Sequence, residues 1–137
     1  MRRVSRYVPA LAVMALIFGL SAQPDLSSGL GAWDTLLRKL AHVTIYAILW
    51  LTVARATLWR RPVLATVIAL LYAVSDEVHQ SFVSGRHGTP VDVAIDAVGM
   101  GLAALAWAHA AYRRGGRPGP PWPRRWEPAR LRASRAR

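Results

Sequence analysis

The sequence predicts an all-α fold, a four-helix transmembrane bundle with cytoplasmic N and C termini and a basic, disordered C-terminal tail. Three observations point there. The 137-residue chain is 53% hydrophobic, yet its formal net charge is +11. Its arginines and lysines gather in the first six residues, in a short central loop and in the tail. Between those patches lie long apolar runs almost free of Lys and Arg, the pattern of a membrane protein. Charge spread over a soluble chain of pI ≈ 11.6 would suggest nucleic acid. Charge confined to the ends of apolar runs does not, so no nucleic-acid partner is expected. Cysteine is absent, which excludes disulfides and thiolate-bound metals. The length suits one domain, a membrane part over residues 1–114 followed by a Pro/Arg-rich tail over 115–137.

The first apolar run covers residues 7–22, behind the basic start "MRRVSR". It reads as an uncleaved anchor. A cleaved signal peptide is the alternative, since "GLSAQ" offers small residues, but three further spans follow. The second run covers residues 36–54. The third follows "RRP", covers 63–74 and continues as helix toward Phe82. The fourth covers 91–112. Several are shorter than the roughly 20 residues that span a bilayer core, so the helices should extend beyond the hydrocarbon at their polar ends. Pro62 and Pro90 suit the first turn of the third and fourth helices. The tail is too rich in Gly, Pro and Arg to bury a core. It is expected to lie on an anionic leaflet, with Trp122 and Trp126 at headgroup level. Trp50, Trp59 and Trp107 suit an inner aromatic belt and Trp33 an outer one.

Orientation follows from the cations. Alternating spans place Arg2, Arg3, Arg6, Arg55, Arg60, Arg61 and the nine tail arginines on one side, leaving Arg38, Lys39 and Arg86 on the other. The positive-inside rule makes the first side cytoplasmic. The implied location is the bacterial inner membrane, in a multi-pass arrangement.

This orientation brings polar residues to one depth. "RKLAHVTIY" opens the second helix, "SDEVHQSF" closes the third, and "VDVAID" opens the fourth after the loop "VSGRHGTP". Lys39, His42, Asp76, Glu77, Gln80, Arg86, Asp92 and Asp96 then share the outer leaflet. Lys39, His42 and Tyr46 follow helical i, i+3, i+7 spacing; Asp76 and Gln80 stand four apart; Asp92, Asp96 and Gly99 form a third stripe. Asp96 falls roughly 9 Å below Pro90. A carboxylate facing lipid there would cost up to about 3 kcal/mol. The stripes should therefore face one another, with Lys39 and Arg86 as natural partners of the carboxylates. Gly99 and Gly101, with Ala97, Ala103 and Ala104, offer a face for close helix approach. Tyr72, one turn before Asp76, can bond it or pack. Met14 and Met100 read as packing, His109 as an interface residue and His87 as solvated.

"DEVHQSFVSGRHGTPVDVAIDAVGMG" resembles the signature of the VanZ-like family of small bacterial membrane proteins. The matching positions are Asp76, Glu77, Gln80, Arg86, Asp92, Asp96 and Gly99. "KLAHVTIYAIL" resembles the family's Lys-x-x-His-x-x-x-Tyr element, giving Lys39, His42 and Tyr46. Two spaced motifs over residues 36–105 are more specific than either alone. Asp96 stands where the family typically has Asn, which adds a possible charge. The resemblance implies an integral membrane protein of the cell envelope, and its founding member is associated with teicoplanin-type glycopeptide (antibiotic) resistance. Most relatives have no assigned role, so a fold-level likeness fixes no activity.

Two functional readings follow. In one, the polar cluster binds or acts on a polar or phosphorylated envelope lipid, or a glycopeptide-related ligand. Arg86 would grip phosphate and Lys39 would add a point charge. An enzymatic version would use Glu77 or Asp92 as base, His42 as acid and Arg86 to hold developing charge. In the other, the charges form a structural clasp in a structural or partner-binding protein. An outward cavity lined by Lys39, His42, Glu77, Arg86 and Asp92 would favour the first, a closed net the second. No cofactor or metal is expected: a metal set of Glu77 and His79, with Asp92, Asp96 and His87 in reach, is weighed against because Glu77 and His79 stand two apart and face different ways on a helix, and no HExxH pattern occurs. Four spans without repeats or broken helices offer little machinery for transport. Membrane lipids are the expected surroundings; the sequence does not set the oligomeric state.

Overall fold

The computed structural model describes residues 4–24, 31–86, 88–117 and 119–120. Arg2, Arg3, His87, Trp122, Trp126 and everything beyond residue 120 lie outside the described residues. Four helices follow in order: α1 (Val8–Ser21), α2 (Ala32–Ala56), α3 (Pro62–Gln80) and α4 (Pro90–Arg113). No strand occurs among the described residues. The last three helices are long and apolar enough to cross a membrane, while α1 has 14 residues. At about 1.5 Å per residue α1 covers roughly 21 Å.

The last three helices outrun their apolar cores. α2 begins four residues before its apolar run, with Asp34 in the first turn and Arg55 in the last, each at the end where the helix dipole favours its sign. α3 runs on through "SDEVHQ" to Gln80. Pro62 and Pro90 occupy the opening turns of α3 and α4, where a missing N–H costs nothing.

Helix α2 is the axis of the bundle. It packs against α1, α3 and α4, most extensively against α4. Gly99 explains that closeness: a Cβ there would overlap the carbonyl oxygen of Val43. Gly101 turns away from every neighbour, so the expected small-residue face runs through Gly99, the buried Ala103 and Ala104, which packs against the core. On α3, Ala65, Ala69 and Ala73 recur at i+4 spacing and are wholly buried. They make room for Tyr46, Leu49 and Trp50 of α2, with Met100 from α4 closing the core. Large apolar side chains such as Leu11, Leu16, Leu37, Val67 and Leu105 remain exposed, as a lipid-facing surface requires.

One aromatic expectation fails. Trp50 is not a belt residue. It is wholly buried, donates its Nε1 hydrogen to Thr66 Oγ1 at 2.8 Å and meets Trp107 edge-on. Trp59 is also buried. The alanine stripe creates the space that draws indole rings inward. Tyr72 does not bond Asp76; its hydroxyl donates to the Met14 carbonyl and ties α3 to α1. The start of the expected tail turns back on α4: Trp107 and Arg114 both donate to the Gly119 carbonyl, and Arg114 also to that of Pro120.

Candidate functional site

The ends of α1 and α3 and the starts of α2 and α4 meet at one end of the bundle. There the polar stripe of α2 meets the stripes of α3 and α4, one contact per turn. Nearest the end, Lys39 Nζ lies 3.9 Å from Asp92 Oδ1, and both side chains are partly exposed. One turn deeper, His42 Nδ1 is in hydrogen-bond contact with Asp96 Oδ1 at 2.9 Å. Deeper again, the Tyr46 hydroxyl donates to Asp76 Oδ2 at 3.3 Å. The imidazole of His42 stacks over the Tyr46 ring.

Burial rises along this ladder. Asp96 is 0% exposed, Asp76 3%, Gln80 4% and Glu77 6%. Their hydrogen bonds form a small net. The Gln80 amide donates to Asp76 Oδ2 at 2.9 Å and to Glu77 Oε1 at 3.3 Å. Ser21, the last residue of α1, donates its hydroxyl to the same Asp76 oxygen at 2.9 Å. Glu77 Oε2 accepts the Thr89 backbone N–H at 2.8 Å. Two carboxylate oxygens, Asp76 Oδ1 and Asp96 Oδ2, are buried with no protein partner.

The loop after α3 is shaped for this net. A Cβ on Gly88 would overlap the Glu77 carbonyl oxygen, so only glycine lets the loop lie flat on the last turn of α3. That approach brings the Thr89 N–H to Glu77. Thr89 is also the N-cap of α4: its Oγ1 accepts from Asp92 N at 3.2 Å and donates to Asp92 Oδ2 at 2.8 Å. The Asp92 carboxylate is thus shared between a cap and Lys39.

Two cavities of about 360 Å³ each open beside the net. One is mostly apolar, with Ile17, Leu20, Leu37 and Ile45 on its walls and His42, Tyr46 and Asp76 among its polar groups. The other is polar, lined by Arg38, Lys39, His42, Gln80, Arg86 and Asp92 among others. Arg38, His42 and Arg86 line both, so the two spaces adjoin.

Of the nine residues singled out from sequence, Lys39, His42, Tyr46, Asp76, Glu77, Gln80, Asp92 and Asp96 interlock through α2, α3 and α4. Arg86 departs from expectation. It lines both cavities, but its guanidinium donates to the Leu20 carbonyl at 3.3 Å rather than to a carboxylate of the ladder. It sits in the loop beyond α3, next to the end of α1, while the acids lie lower in the bundle. His79 turns to α1, where it stacks on Phe18 with ring centroids 4.2 Å apart.

Sequence reasoning missed Ser21, Arg38 and Thr89. "TPVD" is a capping-box pattern and could have identified Thr89. Nothing in the sequence marks Ser21, whose role exists only because α1 docks against α3. A family model described as VanZ/LLP1 matches residues 3–111, a span that takes in all four helices but for the last two residues of α4. The chain matches no curated protein and no solved structure.

Proposed function

Because the chain belongs to the VanZ/LLP1 family, we propose that it is a multi-pass protein of the bacterial inner membrane that binds a phosphorylated envelope lipid from the outer leaflet. The observation that carries this reading is the pair of adjoining cavities. One is mostly apolar, shares Arg38, His42 and Arg86 with the other, and suits a hydrocarbon chain. The other presents Arg38, Lys39 and Arg86, which suit a phosphate. His42 stands where the two meet. Lipid chain and headgroup need these two environments side by side, and a pure clasp needs neither.

The orientation rests on the cation bias: both termini in the cytoplasm put the ladder under the outer surface. Ser21 supports α1 as a retained anchor, because cleavage there would leave Asp76 without one of its donors. A link to glycopeptide resistance comes from family analogy alone. A catalytic role would fall to His42, which touches both cavities and is held by Asp96.

The test compares ligands that differ by one group. The full chain in lipid nanodiscs is titrated with a polyprenyl phosphate and with the corresponding neutral alcohol. Tighter binding of the phosphate, at least about tenfold and weakening with salt, supports the reading. Equal affinity for both sinks it. In cells, a deletion strain should show altered lipid-linked precursors and changed sensitivity to envelope antibiotics.

A second reading, the structural clasp, is favoured by the Asp76–Glu77–Gln80–Ser21 net, whose members are all buried. The two coexist if the buried net is scaffold for the cavity wall.

A further inference from the structure

In their ionised form the three innermost carboxylates would carry more negative charge than their protein partners offset. Asp76 accepts from Ser21, Tyr46 and Gln80, and Glu77 from Gln80 and Thr89. All these donors are neutral. The ion pairs of the ladder are His42 with Asp96, in which the imidazole counts only when protonated, and Lys39 with the outlying Asp92. Buried carboxylates without a counter-charge are costly, by several kcal/mol per ion even after relaxation.

Geometry shows where a counter-charge fits. One ligand atom each from His42, Glu77 and Asp96 lies within 4.8 Å of the other two. These residues come from α2, α3 and α4, so no run of sequence contains the pattern. Asp96 is wholly buried, and its Oδ2 has no protein partner. Asp76 Oδ1, also buried and unpartnered, supplies a second spare oxygen in the same net. An orphaned carboxylate oxygen at 0% exposure is rare unless something outside the chain satisfies it.

We propose that His42, Glu77 and Asp96 form a divalent-cation site. One imidazole nitrogen and two carboxylates form a mixed donor set that suits Mn²⁺ or Zn²⁺ better than a thiophilic ion. Gln80 and the Thr89 N–H hold Glu77, and this outer hydrogen bonding is what orients a ligating carboxylate. The cation would cancel two of the buried charges. It would also sit beside the wall that His42 gives to both cavities. The proposal goes beyond lipid binding and stands or falls separately from it.

The test uses the full chain purified in detergent, stripped with chelator, then exposed in turn to Mn²⁺, Zn²⁺ and Mg²⁺ at neutral pH and desalted. Elemental analysis should find one ion per chain for Mn²⁺ or Zn²⁺, with a rise in Tm that chelator reverses. Asp96→Asn and Glu77→Gln, which keep side-chain shape, should lower affinity at least about tenfold. His79→Gln, on the same turn of α3 as Glu77, should bind as the unaltered chain does. Substoichiometric metal in the unaltered chain, with no shift in Tm for any of the three ions, overturns the site and leaves protonated acids as the account of the ladder. Undiminished affinity in both acid variants overturns it too. If Asp96→Asn fails to accumulate, Glu77→Gln and the unaltered chain still decide. Phosphate-lipid binding without metal would spare the functional reading and refute only this one.

Discussion

About 12 Å of α2 separates His42 from Trp50, and the bundle closes differently at the two levels. At Trp50 it closes by shape: a large ring fills the space that Ala65, Ala69 and Ala73 leave, and its one polar atom is satisfied by Thr66. At His42 it closes by hydrogen bonds, and the accounting is incomplete, with two oxygens left over. The apolar level needs nothing from outside the chain. The polar level borders cavities on more than one side and has spare acceptors. In a membrane the difference is sharper than in water, since lipid competes for apolar packing but offers nothing to a bare carboxylate. Stability should therefore depend mostly on the first level and ligand response on the second.

The largest separation should come from Trp50→Ala. Removing a wholly buried indole costs about 3 kcal/mol, the low end for such truncations because lipid rather than water solvates the unfolded reference. Thermal unfolding in detergent should show the loss with or without ligand or metal. If ligand or metal narrows the Tm gap between this variant and the unaltered chain, the two levels are not separate. Next is Gly99→Ala. The obstacle is the Val43 backbone carbonyl, which cannot swing aside as a side chain tip can. Parting α2 from α4 should cost about 1–3 kcal/mol. It should also loosen both levels together, because Gly99 lies one turn from Asp96. Gly101→Ala, facing open space, is the silent control by the same thermal assay.

How far the sequence reaches also differs between the levels. Helix count, the opening prolines and the shared depth of the polar stripes follow from hydropathy and a 3.6-residue period, which constrain position along the bundle axis. Rotation about that axis is weakly constrained. Trp50 therefore read as a belt residue when the alanine stripe of α3 turns it inward. Partner choice is less legible still. That His42 takes Asp96 while Lys39 takes Asp92 depends on the rise between helices that Gly99 permits. Arg86 was assigned to the acids by charge alone, and the end of α1 intercepts it. Ser21 carried no signal, since a serine near an apolar run can cap, face lipid or bond a neighbour.

Tyr46→Phe probes the junction of the two levels at a smaller scale. It deletes one of three donors to Asp76 Oδ2 and leaves the ring in place over His42. The expected cost is about 0.5–1.5 kcal/mol, read from thermal or denaturant unfolding. A loss nearer that of Trp50→Ala would mean the hydroxyl organises the whole net.

Among the polar-level variants the smallest stability effect belongs to Lys39→Met, and it separates site from clasp. Lys39 and Asp92 are both partly exposed and 3.9 Å apart, a geometry worth under about 1 kcal/mol. Methionine keeps the apolar stem and removes only the charge. Unfolding should barely change, while affinity for a phosphorylated lipid falls by about tenfold, the loss of one charge-assisted contact to phosphate. A clasp predicts the reverse ordering, with stability lost and binding indifferent. Asp92→Asn adds a sign check: it lifts a negative charge from the cavity wall and keeps a cap for Thr89, so phosphate affinity should hold or rise. If both variants weaken binding equally, the ion pair positions the ligand and Lys39 is not its counter-charge.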